Sequence, residues 1–444
     1  MWTHLDRAAT RGRILLLGWL LFVIYAFPGY MSTDSVDQLN QARNGPLHDW
    51  YPPLMAWLWR WLDSIIAGPF LMLVLQSVTF LLGADGILRR AFAPRAAAVA
   101  ACGVLLFPPV MSQMAVIWKD SQMAGFLLAG MAGLLSEDRR WRIAGCGWLF
   151  LATAQRYNAP AATLPLVLGL FVWRPELPRL RRYAIALAVW IAITGLAFGV
   201  NRALTETNRY AWHGSIALLD ICGTIRWSGK LTDAELRERL AGVPGVPSED
   251  MWRKFRKKYG NAWFWMQYGD DRVFDSPTTE DERDAVARAW RNLVIAHPFA
   301  YLKHRWVIFR DVIGLPPADP QGAVWDGFVE APEQMAFIKH QASHSSIQGA
   351  WVKLLYKFNT ALWVRPWAYM LIALALLPLA RRNRPALVLL LSGLFNELSL
   401  YIVAPSIDYR YSHWMITATV LAGIIVFTER WRLGRSKARG TLSG

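Results

Sequence analysis

The sequence contains only three cysteines among its 444 residues. Cys102 and Cys146 fall in apolar stretches and Cys222 stands alone in a long polar segment, so their spacing supports neither a disulfide framework nor a Cys-x-x-Cys metal site. The sequence also lacks a glycine-rich phosphate loop, an HExxH motif, a G-x-S-x-G motif and an internal repeat. It therefore carries no signature of a P-loop enzyme, a zinc protease or a serine hydrolase.

Acidic residues are scarce relative to basic ones, 32 against 48, which gives a net charge of +16. A basic balance of this size can indicate nucleic-acid binding, but membrane proteins also collect Lys and Arg in their cytoplasmic loops. The apolar share is 54%, and several windows of roughly 17 to 22 residues are almost free of charge. We therefore predict a polytopic membrane protein and no nucleic-acid partner.

Ten apolar spans are predicted. They lie near residues 14–29, 68–88, 95–111, 119–135, 142–156, 159–173, 183–200, 366–380, 385–403 and 413–428. Arginines cluster in every second connection between them, for example at Arg139, Arg140 and Arg142, whereas the short segments on the other side hold few basic residues. This positive-inside pattern places both termini in the cytoplasm, and the first span is interpreted as an uncleaved anchor. The predicted fold class is all-α, with about ten transmembrane helices.

The long polar segment 201–364 is predicted to form a small helical domain outside the cytoplasm. Two capping-box spacings, Thr232 with Glu235 and Thr279 with Glu282, indicate helix starts within it. The chain would then consist of an N-terminal membrane module (1–200), this insert (201–364) and a C-terminal membrane module (365–444).

The first outer loop, 28–66, concentrates acidic and polar side chains, among them Asp34, Asp37 and His48. It ends in a tryptophan-rich stretch, 54–66, that is typical of a helix lying in the lipid headgroup layer. Interfacial helices in this loop would hold the acidic groups at the membrane surface.

Four polar groups adjoin apolar spans on the same predicted side of the membrane: Asp34-Ser35 with Asp37, Trp118-Lys119-Asp120-Ser121, Gln155-Arg156-Tyr157-Asn158, and Asp408-Tyr409-Arg410-Tyr411. Each has a structural explanation of its own. Asp34 could cap a helix, Asp120 could complement a helix dipole, and Arg156 could extend toward the interface. The last group could be an anchored interfacial pair. Such separate explanations do not predict that all four fall on one side, whereas a shared site does.

In this order the residues resemble the GT-C superfamily of polytopic glycosyltransferases and are similar to its protein-O-mannosyltransferase-like bacterial branches. The likeness rests on PG…DS…Q…HDWYPP in the first outer loop, Lys-Asp at the start of the fourth span, Arg-Tyr-Asn after the fifth, a large loop after the seventh and Arg-Tyr near the last. The resemblance implies an inverting transfer from a polyprenyl-phosphate sugar to a lipid, glycan or protein acceptor. It also implies a multi-pass protein of the bacterial cytoplasmic (inner) membrane that acts on the cell envelope at the outer face.

The resemblance implies Asp34 as the catalytic base, Asp120 as a second acidic position, and Arg156 and Arg410 as ligands of the donor phosphate. Glycosyl transfer needs a carboxylate that accepts the acceptor's proton and cations that stabilise the leaving phosphate, so Asp37 is a second candidate base and Lys119 a further phosphate ligand. The predicted substrate-binding residues are His48, Tyr51, Asn158 and Tyr409. Asp34 and Asp120 could also hold a divalent metal, although their spacing does not require one, and no other cofactor is predicted.

A transporter or flippase for lipid-linked glycans is the alternative, because it too would place basic groups at the membrane surface. Transporters usually contain two similar halves with broken spans and ionisable residues at mid-bilayer. Here one large loop divides seven spans from three, and the charges lie at the ends of spans. These features favour an enzyme.

Overall fold

The computed structural model describes residues 2–172, 174–316, 322–325, 327 and 345–440. Its α-helices are α1 (Trp2–Ala26), α2 (Thr33–Asn44), α3 (Leu54–Ile65), α4 (Phe70–Leu88), α5 (Pro94–Leu105), α6 (Pro108–Met114), α7 (Lys119–Leu134), α8 (Arg139–Gln155), α9 (Ala159–Leu170), α10 (Arg179–Leu204), α11 (Leu218–Trp227), α12 (Asp233–Arg239), α13 (Met251–Lys258), α14 (Glu280–Ala296), α15 (Pro298–Val312), α16 (Ser346–Lys357), α17 (Pro366–Ala380), α18 (Arg384–Val403) and α19 (His413–Gly440). Short 3-10 and π turns join some of them, and the described part of the chain contains no β-strand. The predicted all-α class is confirmed.

Each of the ten predicted spans coincides with a helix or a helix pair. The third is broken into α5 and α6, which meet at 71°, because Pro108 and Pro109 cannot continue the hydrogen bonding of α5. Within the described residues, α4, α10, α18 and Tyr409–Arg432 are long and apolar enough to cross a membrane, and the bent pair would make a fifth span. The protein is therefore a multi-pass membrane protein, although fewer helices reach this length than the ten that the sequence predicts.

Helices α4, α7 and α8 pack through glycines. A Cβ added at Gly133 in α7 would lie 2.7 Å from the Cα of Gly145 in α8, and one added at Gly83 in α4 would lie 2.6 Å from the backbone of Leu128. Small residues allow helix backbones to approach closely in a membrane, where packing and not hydrophobic burial drives association. These three helices thus form a tightly packed unit, and the N-terminus of α7 is one edge of the candidate site.

The segment between α10 and α17 is helical in its described part, as predicted. Thr232 and Thr279 form the two expected capping boxes, and they open α12 and α14. Helices α11 to α15 enclose a separate apolar core that includes Phe255 and Leu293. The same core contains Leu400 and Tyr411 of the C-terminal region, so the insert packs on the end of α18 and the turn that follows it. The division into three modules remains a prediction.

Candidate active site

The first loop is held against the segment that precedes α7. Tyr30 N–H donates to the carbonyl of Ala115 at 2.8 Å, and Ile117 N–H donates to the carbonyl of Tyr30 at 2.9 Å. Ser32 caps α2 in a reciprocal capping box with Ser35, whose hydroxyl also donates to the carbonyl of Ile117 at 2.8 Å. Because Ser32 supplies the cap, the carboxylate of Asp34 does not have this role. The first turn of α2 is thereby fixed beside the start of α7.

Asp34 lies between two cations. Its Oδ2 is 2.6 Å from Arg410 Nη1 and 3.8 Å from Lys119 Nζ, while its Oδ1 accepts a hydrogen bond from the Tyr51 hydroxyl at 2.8 Å. The Lys119 ammonium also lies 4.1 Å from the centre of the Tyr51 ring. The Asp34 side chain is 23% exposed, whereas those of Arg410 and Lys119 are about half as exposed or less. The structure thus joins residues from α2, α7, the first loop and the turn before α19.

Burial alone would raise the pKa of Asp34, but the charges of Arg410 and Lys119, with the Tyr51 hydrogen bond, bring this pKa well below its usual value. The same burial, together with the Asp34 charge, raises the pKa of the Tyr51 hydroxyl well above its usual value. At neutral pH Asp34 is therefore a carboxylate and Tyr51 a neutral hydrogen-bond donor.

Asp120 and Arg156 form a second ion pair. Asp120 is the second residue of α7, and Arg156 immediately follows α8. Arg156 is only 8% exposed and its Nε donates to Asn158 Oδ1 at 3.0 Å, so it is held inside the protein and does not extend into solvent. The Asn158 amide in turn donates to Ser399 Oγ of α18 at 3.1 Å. This pair therefore ties α7, α8 and α18 together.

The aromatic ring of Tyr411 connects the two pairs. The guanidinium of Arg156 lies 4.7 Å from its centre and that of Arg410 lies 5.5 Å away, while Arg410 also lies 4.9 Å from the ring of Trp118. Arginine planes stack favourably on aromatic faces, so these rings fix the orientation of both cations. Sequence reasoning assigned no role to Tyr411 or Trp118, although each stands next to a predicted site residue.

The remaining predicted residues take different positions. Asp37 accepts from the Gln41 amide at 3.0 Å and lies 3.7 Å from His48 Nε2, which places this pair one helical turn from Asp34. Burial lowers the pKa of His48. Tyr409 is fully buried, and its hydroxyl has no hydrogen-bond partner among the described residues. Tyr409 therefore packs inside the helix bundle, and its predicted contact with substrate remains a prediction.

The interior next to the Asp120–Arg156 pair is polar. Both ring nitrogens of His413, both amide atoms of Gln155 and Oδ2 of Asp120 are buried and have no hydrogen-bond partner among the described residues. Asp120 interacts electrostatically with His413, and Gln155 directly precedes Arg156. Unpartnered buried polar groups are costly and uncommon. This region fits a ligand rich in hydroxyl groups better than a hydrocarbon chain.

Three cations and three carboxylates make up the charged part of the site. They are Lys119, Arg156 and Arg410, with Asp34, Asp120 and Asp408, and Asp408 Oδ2 accepts from Arg410 Nη2 at 3.1 Å. The three positive charges of the site are balanced by its three negative charges. An anionic ligand must therefore compete with a carboxylate for each guanidinium. Among the described residues, no group of three or more His, Cys, Asp or Glu side chains could hold a metal ion. The two carboxylates considered for a metal, Asp34 and Asp120, each face a different arginine.

No protein-family model matches the sequence, and no curated protein matches it either. A search of solved structures gives a match to the crystal structure of ArnT from Cupriavidus metallidurans bound to undecaprenyl phosphate. The match covers 95% of this chain and 78% of that chain, with 14% sequence identity and a TM-score of 0.34. The match carries no conclusion about activity.

Proposed function

We propose that this protein is a glycosyltransferase that moves a sugar from a polyprenyl-phosphate donor to an acceptor hydroxyl at the outer face of the membrane. The observation that carries the proposal is the position of the Asp34 carboxylate between Arg410 and Lys119, beside a second carboxylate–arginine pair, where the first loop meets the helix ends. A base and phosphate-binding cations are the two kinds of group that this reaction requires. The resemblance of the sequence motifs to the GT-C superfamily has the same implication.

The reaction is a single displacement. The acceptor oxygen attacks the anomeric carbon, the bond from that carbon to the phosphate oxygen breaks, and polyprenyl phosphate leaves with the electron pair. Asp34 takes the acceptor's proton, and the configuration at the anomeric carbon is inverted because attack and departure occur on opposite faces. The polar interior around Asp120, Gln155 and His413 would face the sugar hydroxyls.

Donor binding would also change the basicity of Asp34. Arg410 and Lys119 now hold the Asp34 pKa low, which makes the carboxylate a weak base. A phosphate that draws Arg410 away from Asp34 removes the larger of these two stabilising charges and so raises the pKa of the carboxyl group. Asp34 would thus become a stronger base only when the donor is in place.

The outer-face location rests on the alternation of arginine clusters between spans, which puts the first loop, residues 117–120 and the turn before α19 on the side opposite to both termini. That side is exposed to lipid-linked sugars and to envelope acceptors. The substrate-bearing lipid would reach the site from the membrane plane, between the helix ends.

Binding of the donor lipid tests the proposal. Arg410→Ala and Arg156→Ala should each weaken binding of a polyprenyl phosphosugar to the purified protein by roughly tenfold or more, because each removes a charge-assisted hydrogen bond to the phosphate. Arg43→Ala is the matched control, since it deletes an ion pair with Asp63 (2.7 Å) in the first outer loop that includes neither tested arginine. Mass spectrometry of lipids that co-purify with the parent should detect the donor.

Donor affinity equal to that of the parent in both arginine variants would contradict the site assignment. A flippase would also bind the lipid, but it would transfer no sugar to an acceptor in detergent solution. Assay of transfer with the purified parent therefore separates the two functions.

A further inference from the structure

A second buried ion cluster lies inside the insert, away from the candidate active site. Arg305 Nε is 2.6 Å and His304 Nε2 is 3.2 Å from Oδ1 of Asp220, and all three side chains are at most 1% exposed. Asp220 belongs to α11, and the two basic residues belong to α15. A charge buried this completely is costly unless it is paired, so the cluster must be maintained by its own contacts.

Two hydrogen bonds from uncharged side chains add to the cluster. Trp290 Nε1 donates to Asp220 Oδ2 at 2.8 Å, and the Tyr259 hydroxyl lies 2.9 Å from His304 Nδ1. Burial alone would raise the pKa of Asp220, but Arg305 and His304 lower it, and burial lowers the pKa of His304. Asp220 is therefore charged near neutral pH, and Arg305 is its permanent partner.

Arg305 also reaches out of the insert. Its Nη1 donates to the carbonyl of Ala404 at 2.9 Å, in the loop that follows α18. One residue later, the carbonyl of Pro405 accepts a hydrogen bond from the backbone N–H of Trp263 at 2.9 Å. Two consecutive carbonyls of this loop are thus held by the insert.

The same loop leads directly to the active-site arginine. The Ser406 hydroxyl donates to Asp408 Oδ2 at 2.9 Å, and that oxygen also accepts from Arg410 Nη2 at 3.1 Å. The other terminal nitrogen of Arg410 is the one that contacts Asp34 at 2.6 Å. A continuous set of contacts therefore runs from Asp220 through residues 404–408 to the Asp34 carboxylate.

We propose that Arg305, locked by Asp220, is a positioning residue that sets the place of Arg410 by holding the Ala404–Asp408 loop. This inference rests on the proposed function for its effect on the donor phosphate. The guanidinium of Arg305 uses one nitrogen for the carboxylate and another for the carbonyl, which a lysine ammonium cannot do in the same fixed geometry. The insert thus controls how tightly the donor phosphate is held without touching it.

Arg305→Lys is the main test, with Arg310→Lys on the same helix as the matched control because Arg310 pairs only with the adjacent Asp311 in the described contacts. Arg305→Lys keeps the positive charge beside Asp220 and loses the forked contact with Ala404. We expect faster amide hydrogen exchange at residues 404–411 and unchanged exchange in α12 and α14. The control should match the parent in both regions.

A double-mutant cycle with Arg410→Ala separates positioning from general destabilisation. Arg305→Lys alone should weaken binding of a polyprenyl phosphate by roughly three- to tenfold, since a phosphate hydrogen bond is misplaced and not deleted. In the Arg410→Ala background the same change should have little further effect, because the two residues act through one contact. Independent, additive losses would overturn the proposal.

A second variant covers the case in which Arg305→Lys folds poorly. Trp290→Phe removes one hydrogen bond from Asp220 but leaves the contact between Arg305 and Ala404, so it should destabilise the insert without faster exchange at residues 404–411. Equal exchange increases at this loop in both variants would assign Arg305 a structural role only. The exchange measurements need no substrate, so they stand even when the parent binds no lipid, which is the outcome that contradicts the proposed function.

Discussion

The protein contains two buried carboxylate–arginine clusters that differ in how completely they are closed. In the insert, Asp220 Oδ1 lies in ion-pair contact with His304 and Arg305, Asp220 Oδ2 accepts from Trp290, and the three charged side chains are at most 1% exposed. At the candidate active site, the side chains of Asp34 and Asp408 are 23% and 40% exposed. The first arrangement favours ion pairs that do not exchange. The second allows a charged ligand to replace one member of an ion pair.

The comparison also shows why ion pairs alone do not identify an active site. An ion pair that is completely shielded from solvent has little reason to exchange partners, since breaking it leaves an uncompensated buried charge. The candidate site instead places two arginines within 5.5 Å of the centre of the shared Tyr411 ring, beside a partly exposed carboxylate. Exposure of the carboxylate to solvent is thus the more informative signal.

The largest expected effect is on stability, from Asp220→Ala. This change leaves Arg305 buried without its charged partner, which should lower the free energy of unfolding by about 3 to 5 kcal/mol. Thermal and denaturant unfolding of the protein in detergent would measure it. The matched control is Asp271→Ala, which deletes an ion pair with Lys258 at the exposed surface of the same insert and should change stability little. Equal losses in the two variants would show that the buried Asp220 cluster contributes no more to stability than a surface ion pair.

The next effect is on catalysis, from Asp34→Asn. The amide keeps the shape of the side chain and can still accept from Tyr51, but it cannot take a proton, so turnover should fall by a factor of about 10² or more. Asp37→Asn is the paired variant, because Asp37 lies one helical turn away and contacts His48 instead of the arginines. Sugar transfer and donor binding should be measured in both.

Near-normal turnover in Asp34→Asn together with an inactive Asp37→Asn would move the base to Asp37. Normal turnover in both would exclude the first loop from the chemistry. In either case the open cluster would have a role other than catalysis.

The smallest effect is a pH dependence of stability. Because the pKa of Asp34 is lower in the folded chain than in the unfolded one, its ion pairs stabilise the fold above the ordinary carboxyl pKa of about 3.9, and this contribution is lost as pH falls toward the lowered value. The difference in unfolding temperature between the parent and Asp34→Asn should therefore be constant from about pH 7 to pH 5 and shrink below about pH 4. A difference that shrinks already between pH 7 and pH 5 would show that Asp34 is not held by Arg410 and Lys119.

The sequence predicted the helical class and where the helices lie, because apolar spans and capping boxes are local signals. The sequence also indicated four candidate site residues that the structure places in direct contact: Asp34, Lys119, Tyr51 and Arg410. It did not predict that Arg156 pairs with Asp120 and Arg410 with Asp34, since the choice of partner depends on how helices distant in sequence pack together.

Two further features were not predicted. The cluster of Asp220, His304 and Arg305 joins residues about eighty positions apart, and nothing in their local pattern distinguishes them from surface charges. The break between α5 and α6 was visible as Pro108-Pro109, but the apolar run across it was interpreted as one continuous span. The cluster depends on tertiary packing, whereas the break follows from the two prolines themselves.

The glycine contacts that join α4, α7 and α8 determine which parts of the site can adjust. Gly133 and Gly145 bring the backbones of α7 and α8 so close that neither helix can slide or rotate without collision. Lys119 and Asp120, at the N-terminus of α7, are therefore held in fixed positions. Arg410 comes from a short turn and Asp34 from the first turn of α2, and neither belongs to these glycine-packed helices. Under the proposed function, acceptors of different size would therefore be accommodated on one side of the site only. Mutations that widen specificity should accumulate in the first loop and in the turn before α19. The glycine-packed helices α4, α7 and α8 should tolerate almost none.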